Sequence, residues 1–502
     1  MLIRDGLIVD GSGTAPYRGD VQVRNGRIAA ISAPGVLTAA PGSPIIEAAG
    51  RVVAPGFIDP HSHGNPFETR DFSNFLSMGV TTITLGQDGS SPRAVDLERW
   101  QRSVESTGIA PNVALFIGHG TLRRELGIGN SERLSEDQQA RLEAALDQAL
   151  DHTFGLSTGL EYTPGLYAQL PELEGLARVV GRRGRIIMSH LRSEDDDQLQ
   201  TSLAELVAQG RHCRVHVAHL KSVYGKGAAR GREVLSWIQA ARREGIAISA
   251  DVYPYSASYT GLALLFPTWA KTPETFAQAK LERREALEQY LRNRVLKRNG
   301  PEATVLGTEP YRGIDLATLA ARLNKPFEQV LIDELGPAGF SAAYFVMNDE
   351  LQEALLADPQ IAISSDGSPT GFHPRGHGTH AKVIESYVVN QGTLTLAEAI
   401  HKMTGLPAQL LGVTDRGLLR PGLAADLIVF DPQQVRARAT YTAPLTLATG
   451  FDLVFVNGVL VRSGDQQRDA LPGQLLRPAA STTLAAGNRA DGARSAASIQ
   501  GG

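Results

Sequence analysis

The chain opens on short alternations of apolar and polar residues. Leu2-Ile3-Arg4, Leu7-Ile8-Val9, Val21-Gln22-Val23 and Ile28-Ala29-Ala30-Ile31 are separated by Asp5-Gly6, Gly11-Ser12-Gly13 and Asn25-Gly26. A period of two predicts half-buried strands, and Asn-Gly between two such runs predicts a hairpin. The signature returns near the other end, in Asp426-Leu427-Ile428-Val429-Phe430, Leu453-Val454-Phe455-Val456, the turn Asn457-Gly458, and Val459-Leu460-Val461. Two β-rich ends flanking a long middle predict one discontinuous β-sandwich domain, over 1–52 and 416–478.

The middle alternates apolar runs with helical stretches. Eight runs read as buried strands: Val52–Asp59, Gly79–Gly86, Asn112–Gly120, Thr153–Gly159, Arg185–His190, Cys213–His219, Gly245–Tyr255 and Gln360–Asp366. Helices are expected between them, at Leu134–Asp151 with Ser135 as N-cap, at Pro171–Gly181 and at Asp195–Ala208. Eight buried strands alternating with helices predict an α/β fold, a (β/α)8 TIM barrel over 53–415. About a hundred residues separate the seventh run from the eighth, too many for one βα unit, so an insertion is expected at about 265–345. The Ala/Ser/Gly/Arg-rich end, 479–502, is expected to be disordered.

Composition narrows the function classes. Forty-nine Lys+Arg against 53 Asp+Glu give a formal charge of −4, with no basic field for nucleic acid. A single cysteine, Cys213, rules out an internal disulfide and a Cys-rich metal cluster. No apolar run approaches the roughly 18 residues of a membrane span, and Met1 to Gly11 does not read as a signal peptide. The expectation is a cytoplasmic enzyme acting on a small molecule, with no nucleic-acid or membrane partner; the oligomeric state is not legible.

Barrel active sites lie at the C-terminal ends of the strands. The first run ends Asp59-Pro60-His61-Ser62-His63, and alternation puts His61 and His63 on one side. The fifth ends at His190, the sixth at His219 and the eighth at Asp366. Each alone has an ordinary structural explanation. Together, four histidines and an aspartate at four strand ends form a set suited to Zn²⁺ or a similar divalent ion. His119 ends the third run and is a candidate to touch substrate.

These residues resemble a known family. Pro55-Gly56-Phe57-Ile58-Asp59-Pro60-His61-Ser62-His63 looks like the opening metal motif of the amidohydrolase superfamily. Within it, the chain most resembles the N-acyl-D-amino-acid deacylases, or D-aminoacylases. Stretches carrying that match include Gly118–Arg123, Gly155–Tyr162, Ser189–Glu194, Ala218–Lys221, Asp251–Tyr255 and Ser365-Asp366-Gly367 with His373-Pro374-Arg375. The resemblance implies hydrolysis of the amide of N-acyl-D-amino acids. It implies a tight zinc on His190 and His219, a second metal position on His61 and His63, and Asp366 as general base and then acid. It also implies a clamp for the substrate carboxylate at Lys221, Tyr253 and Arg375, joined by Ser258. A cyclic-amide hydrolase is the alternative, argued against by the absence of Lys from Gly155–Gly159; a non-catalytic scaffold is the lesser one. Two departures stand out. Asp88, in Leu85-Gly86-Gln87-Asp88-Gly89, stands where the deacylases place a metal-binding Cys, with Glu161 as second choice for that ligand. A carboxylate is harder than a thiolate and shifts preference toward Mn²⁺, Co²⁺ or two bound ions. His380 stands where the family has a bulky apolar residue.

Overall fold

A computed structural model describes residues 1–479, so the tail expected to be disordered lies, but for Ala479, outside the described residues. The two chain ends build one continuous nine-stranded sheet, with Leu2–Ile8 at its centre and Leu427–Phe430, Phe451–Val456 and Val459–Ser463 joined through Val52–Pro55. Residues of both ends share its core, among them Ile3, Val21, Val53, Leu427 and Phe455. Both Asn-Gly turns form. Asn25 and Gly26 have φ of 50° and 73°, Asn457 and Gly458 of 50° and 78°, the positive pair that a two-residue hairpin turn demands.

The barrel has eight parallel strands. They are Phe57–Asp59, Val80–Leu85, a third broken at Phe116 into Asn112–Leu115 and Ile117–Gly118, then Gly155–Gly159, Ile186–His190, Arg214–Val217, Ile248–Val252 and Ile361–Ile363. The ends of the first and eighth strands close it. Asp366 N donates to His61 O at 2.8 Å and His63 N to Gly367 O at 2.8 Å. Closure therefore sets two expected metal-site segments side by side.

Several boundaries differ from the sequence reading. The run Val52–Asp59 is two strands. Val52–Pro55 pairs with Leu427–Phe430 in the terminal sheet, and only Phe57–Asp59 enters the barrel. Gly56 turns the chain between them, where an added Cβ would come 2.2 Å from Thr81. The insertion begins earlier than 265, at Ser258–Gly261, which pairs with Ser341–Tyr344. It carries its own core, including Leu262, Leu287, Leu291, Leu306, Leu316 and Tyr344. Residues 471–476 do not join the terminal sheet. They run along the third barrel strand, with Leu476 N donating to Val113 O at 2.8 Å, because Leu475 and Leu476 find apolar cover there.

Candidate metal centre and active site

Three of the expected ligands sit on backbone that side chains rarely adopt. Asp88 has φ 55°, His219 37° and Asp366 49°, strain of the kind held at functional sites. Asp88 stands in a tight reversal between Gly86 and Gly89. A Cβ at Gly86 would fall 2.1 Å from Phe116 O, so only glycine fits where the strand turns inward. His219 is braced through its backbone, whose N–H donates to Asp251 Oδ1 at 2.8 Å. Asp59 does the same for the other side, accepting from Ser365 N at 3.0 Å and His61 N at 3.2 Å.

The side chains converge. Asp88 Oδ1 lies 3.3 Å from His61 Nε2, 3.5 Å from His219 Nε2 and 3.8 Å from His190 Nδ1, while its Oδ2 lies 3.5 Å from His63 Nε2. Asp366 Oδ1 stands 3.1 Å from His63 Nε2 and 3.7 Å from His61 Nε2. His190 Nδ1 and His219 Nε2 face each other at 2.9 Å. Both ring nitrogens of His61, and Asp88 Oδ1, are buried with no hydrogen-bond partner. Buried polar atoms without partners are costly, and imidazole nitrogens with carboxylate oxygens are the donors a divalent ion takes. The residues present thus fit a metal, in two overlapping groups: His61, Asp88, His219 and Asp366, and His190, Glu194 and His219. One carboxylate, Asp88, reaches both histidine pairs. Glu161 lies outside them, 3.1 Å from His190 Nε2, where it accepts the outward N–H and leaves Nδ1 facing the cluster.

The electrostatics suit ligation. Burial pushes the His61 imidazolium toward its neutral form. Burial alone would raise the Asp88 carboxyl, but His61 and His219 outweigh it and hold the group well below the usual range. Asp366 is likewise raised by burial and more strongly lowered by Arg375 and His219, so it stands ionised.

Beside the cluster, Tyr253 lies between two cations, Lys221 at 5.7 Å and Arg375 at 5.0 Å from its ring centre. Arg375 Nη1 meets Asp366 Oδ2 at 2.6 Å, and Nη2 donates to Tyr259 O at 3.1 Å. His373 fixes this arginine, accepting from its backbone N–H at 3.1 Å while bonding Ala257 O at 3.1 Å. Lys221 is buried against Glu194 at 2.6 Å, and Ser258 lines the same recess. The cleft outside, about 550 Å³, is lined by His63, Asp88, Arg124, Tyr162, Asp366 and Arg375, with many glycines.

His119 is not part of this lining. It is fully buried, with Nε2 2.8 Å from Glu172 Oε1, and Glu172 also bonds Arg123 at 2.5 Å. The helix His119–Glu125 begins at that residue and turns its ring into the wall, so the expectation that it touches substrate is corrected. His380 is buried on the ring of Phe57 at 5.7 Å and pushed down to about 3 by burial; it fills an apolar position as a neutral ring. Sequence reasoning assigned no role to Glu194, Tyr162, Asp59 or Asp251. Tyr162 packs on His190 with ring centres 4.5 Å apart. The available signal was a carboxylate inside an apolar run, at Asp59 and Asp251.

The chain has relatives of similar sequence along nearly its whole length. Residues 312–462 match the model of the Amidohydrolase family. The N-acyl-D-aspartate deacylase of Alcaligenes xylosoxydans xylosoxydans is 34% identical, with 95% of this chain and 95% of that protein aligned. The N-acyl-D-glutamate deacylase of the same organism is 32% identical, over 96% and 97%. The chain belongs to the N-acyl-D-amino-acid deacylase family. The crystal structure of N-acyl-D-glutamate deacylase from Bordetella bronchiseptica, complexed with zinc and a phosphonate mimic of the tetrahedral intermediate, superposes with a TM-score of 0.81. It is 32% identical and covers 95% of this chain and 99% of its own. The family shares the (β/α)8 fold described above.

Proposed function

We propose that the protein is a metal-dependent hydrolase that cleaves the amide of N-acyl-D-amino acids to a carboxylate and a free D-amino acid. The observation that carries this reading is the adjacency of two devices. Asp366 touches His63 at 3.1 Å on one side and Arg375 at 2.6 Å on the other, so one residue joins the metal cluster to a carboxylate clamp. His190 and His219 would hold one ion, His61 and His63 a second, and Asp88 would bridge. Zn²⁺ is the first choice, and the carboxylate bridge also accommodates Mn²⁺ or Co²⁺. Such an ion supplies Lewis acidity, which acidifies water and polarises an amide carbonyl.

The chain's own residues do the rest. Arg375, Tyr253, Lys221 and Ser258 would bind the α-carboxylate and set the amide against Asp366; guanidinium grips carboxylate in a two-pronged way that a point charge does not. A substrate carboxylate arriving at Arg375 shares the charge that holds Asp366 acidic, and so raises the basicity of Asp366 only when substrate is in place. Asp366 would accept the attacking water's proton and deliver it to the departing nitrogen. With a single cysteine, and no helix among the described residues long and apolar enough to cross a membrane, a cytoplasmic location is proposed with this reading. The test is hydrolysis of N-acetyl-D- and N-acetyl-L-amino acids by protein stripped with a chelator and reloaded with Zn²⁺, Mn²⁺ or Co²⁺. Metal-dependent turnover confined to the D series is expected, and turnover by the stripped protein would sink the reading.

A further inference from the structure

The recess inward from Asp366 and Arg375 has only about 20 Å³ of free space, so the clamp end of the site is closed. The cleft opens the other way, past Asp88, along a wall of Gly89, Ser90, Gly120, Pro164 and Arg124. Backbone contacts tie that wall to the metal cluster. Gly89 follows Asp88, and its carbonyl accepts the Thr121 N–H at 3.1 Å. A Cβ at Gly120 would fall 2.9 Å from Gly89 O, 3.3 Å from Pro164 Cδ and 3.5 Å from Arg124 Nη1, so glycine keeps the floor beside the guanidinium clear.

The cleft is lined by two arginines. Arg375 is paired with Asp366 at 2.6 Å, whereas Arg124 has no ion pair among the described residues. Its hydrogen bond runs from Nη2 to Thr121 Oγ1, at a long 3.4 Å. The acids of its surroundings are engaged elsewhere. Glu125 accepts from Ala94 N at 2.9 Å and Val95 N at 3.1 Å, and Glu172 holds His119 and Arg123. Partial burial pushes the Arg124 guanidinium down from its ordinary value, with no neighbouring carboxylate to oppose it. A guanidinium facing a cleft without a counter-ion is suited to a carboxylate, which it can take on two N–H groups at once. None of the five wall residues has a large apolar side chain, so a purely aliphatic group would find little cover there.

With the α-carboxylate at Arg375 and the amide carbonyl at the metal cluster, the acyl chain leaves the carbonyl on the side away from the clamp. It therefore runs toward Arg124, four residues past Gly120 in the helix His119–Glu125, a rise of about 6 Å. We infer that the acyl group itself ends in a carboxylate that Arg124 receives, so that the preferred substrates are N-succinyl- or N-glutaryl-D-amino acids. The inference rests on the deacylase reading and deepens it by naming the acyl class. Water adds to the acyl carbon, the C–N bond breaks and the water's protons pass to the nitrogen, giving a dicarboxylate and a free D-amino acid.

The test measures kcat/KM of the metal-loaded full chain on N-acetyl, N-succinyl and N-glutaryl derivatives, and on the methyl ester of each dicarboxylic acyl group. Each set is built on D-leucine, D-asparagine and D-glutamate, so that the acyl preference is read at a fixed side chain. At least one dicarboxylic acyl group should be favoured over its methyl ester and over acetyl by about tenfold, the lower end for a hydrogen bond to a charge. Arg124→Met should bring the acid-to-ester ratio to within about twofold at unchanged metal content, with Arg124→Lys in between. The side chain is exposed, so neither variant disturbs the core. Esters or acetyl derivatives turned over as fast as the free acids would overturn the inference and leave the deacylase reading standing. So would an acid-to-ester ratio that Arg124→Met leaves in place. A loss in Arg124→Met confined to the D-glutamate series would overturn it too, by assigning the guanidinium to the amino-acid side chain. Failure to hydrolyse any N-acyl-D-amino acid would overturn both.

Discussion

Glu194→Gln probes how the metal cluster is held. Glu194 Oε1 lies 3.1 Å from His219 Nδ1 and 2.6 Å from Lys221 Nζ, and Lys221 Nζ itself lies 2.7 Å from that Nδ1. The ring nitrogen has two exclusive options. It can donate its proton to Glu194, which leaves Nε2 with a lone pair facing Asp88. Or it can accept from Lys221, which puts the proton on Nε2 and blocks ligation. Glu194 favours the first option twice over, by accepting the proton and by drawing off the ammonium. Burial works against its ionised form, but Lys221, His190 and His219 hold the carboxyl well below the usual range, so the brace is charged throughout neutral pH. Glutamine keeps the shape, accepts more weakly and leaves Lys221 buried without a counter-ion. Loss of such a carboxylate partner costs about 10–100-fold in metal affinity, or about 1.4–2.7 kcal/mol, and the stranded ammonium points to the upper end. The assay is zinc competition against a chromogenic chelator, with metal content measured after dialysis. Adding Lys221→Met to Glu194→Gln should recover part of the affinity, since it removes the competitor for Nδ1. Zinc affinity within about twofold of wild type in a folded Glu194→Gln protein would refute the argument.

Further outcomes are expected. Asp366→Asn should lower kcat by about 10²–10⁴ while the metal stays bound, because the amide fits beside Arg375 but takes no proton; elemental analysis with steady-state kinetics checks it. Asp88→Ala should lower metal per chain, whereas Glu161→Ala should leave the metal count nearer wild type, since Asp88 alone of the two reaches both histidine pairs. His119→Ala should act on stability rather than substrate affinity, costing about 1–3 kcal/mol in denaturant unfolding as Glu172 loses a buried partner. Lys402 is buried and its ammonium is pushed down to about 8 by burial. The unfolded chain holds that proton up to about 10.5 and the folded one does not, so stability should rise with pH between these values. Lys402→Met should abolish that rise between pH 8 and 10, and an unchanged slope would count against the assignment.

Legibility in the sequence followed the range of the interactions involved. Helix Glu136–Ala149 begins at Ser135 with a reciprocal bond to Gln138, a local pattern visible in four consecutive residues. Within the insertion, Pro273–Glu282 and Arg284–Lys297 are separate helices because Arg283, between them, departs from helical backbone (φ −136°, ψ 29°), a break that no local pattern in the sequence marks. His61, His63, His190, His219 and Asp366 are readable as strand-end residues, since strand ends follow from runs of apolar residues. Asp88 is readable only as a departure from a family pattern. That its carboxylate faces both histidine pairs depends on Gly86 passing within contact of Phe116, from another strand.

By itself, then, the order of residues determined the alternation of strands and helices, the two Asn-Gly hairpins and the recurrence of histidines at strand ends, all consequences of steric preference and burial over a few neighbouring residues. Tertiary structure decided the partners. His119 points at Glu172 rather than the cleft because a helix 53 residues further on packs its carboxylate there. Val52–Pro55 leaves the barrel because the far end of the chain offers it a strand edge. In each case the energy lies in a contact between segments distant in sequence, which only the packed chain brings within range.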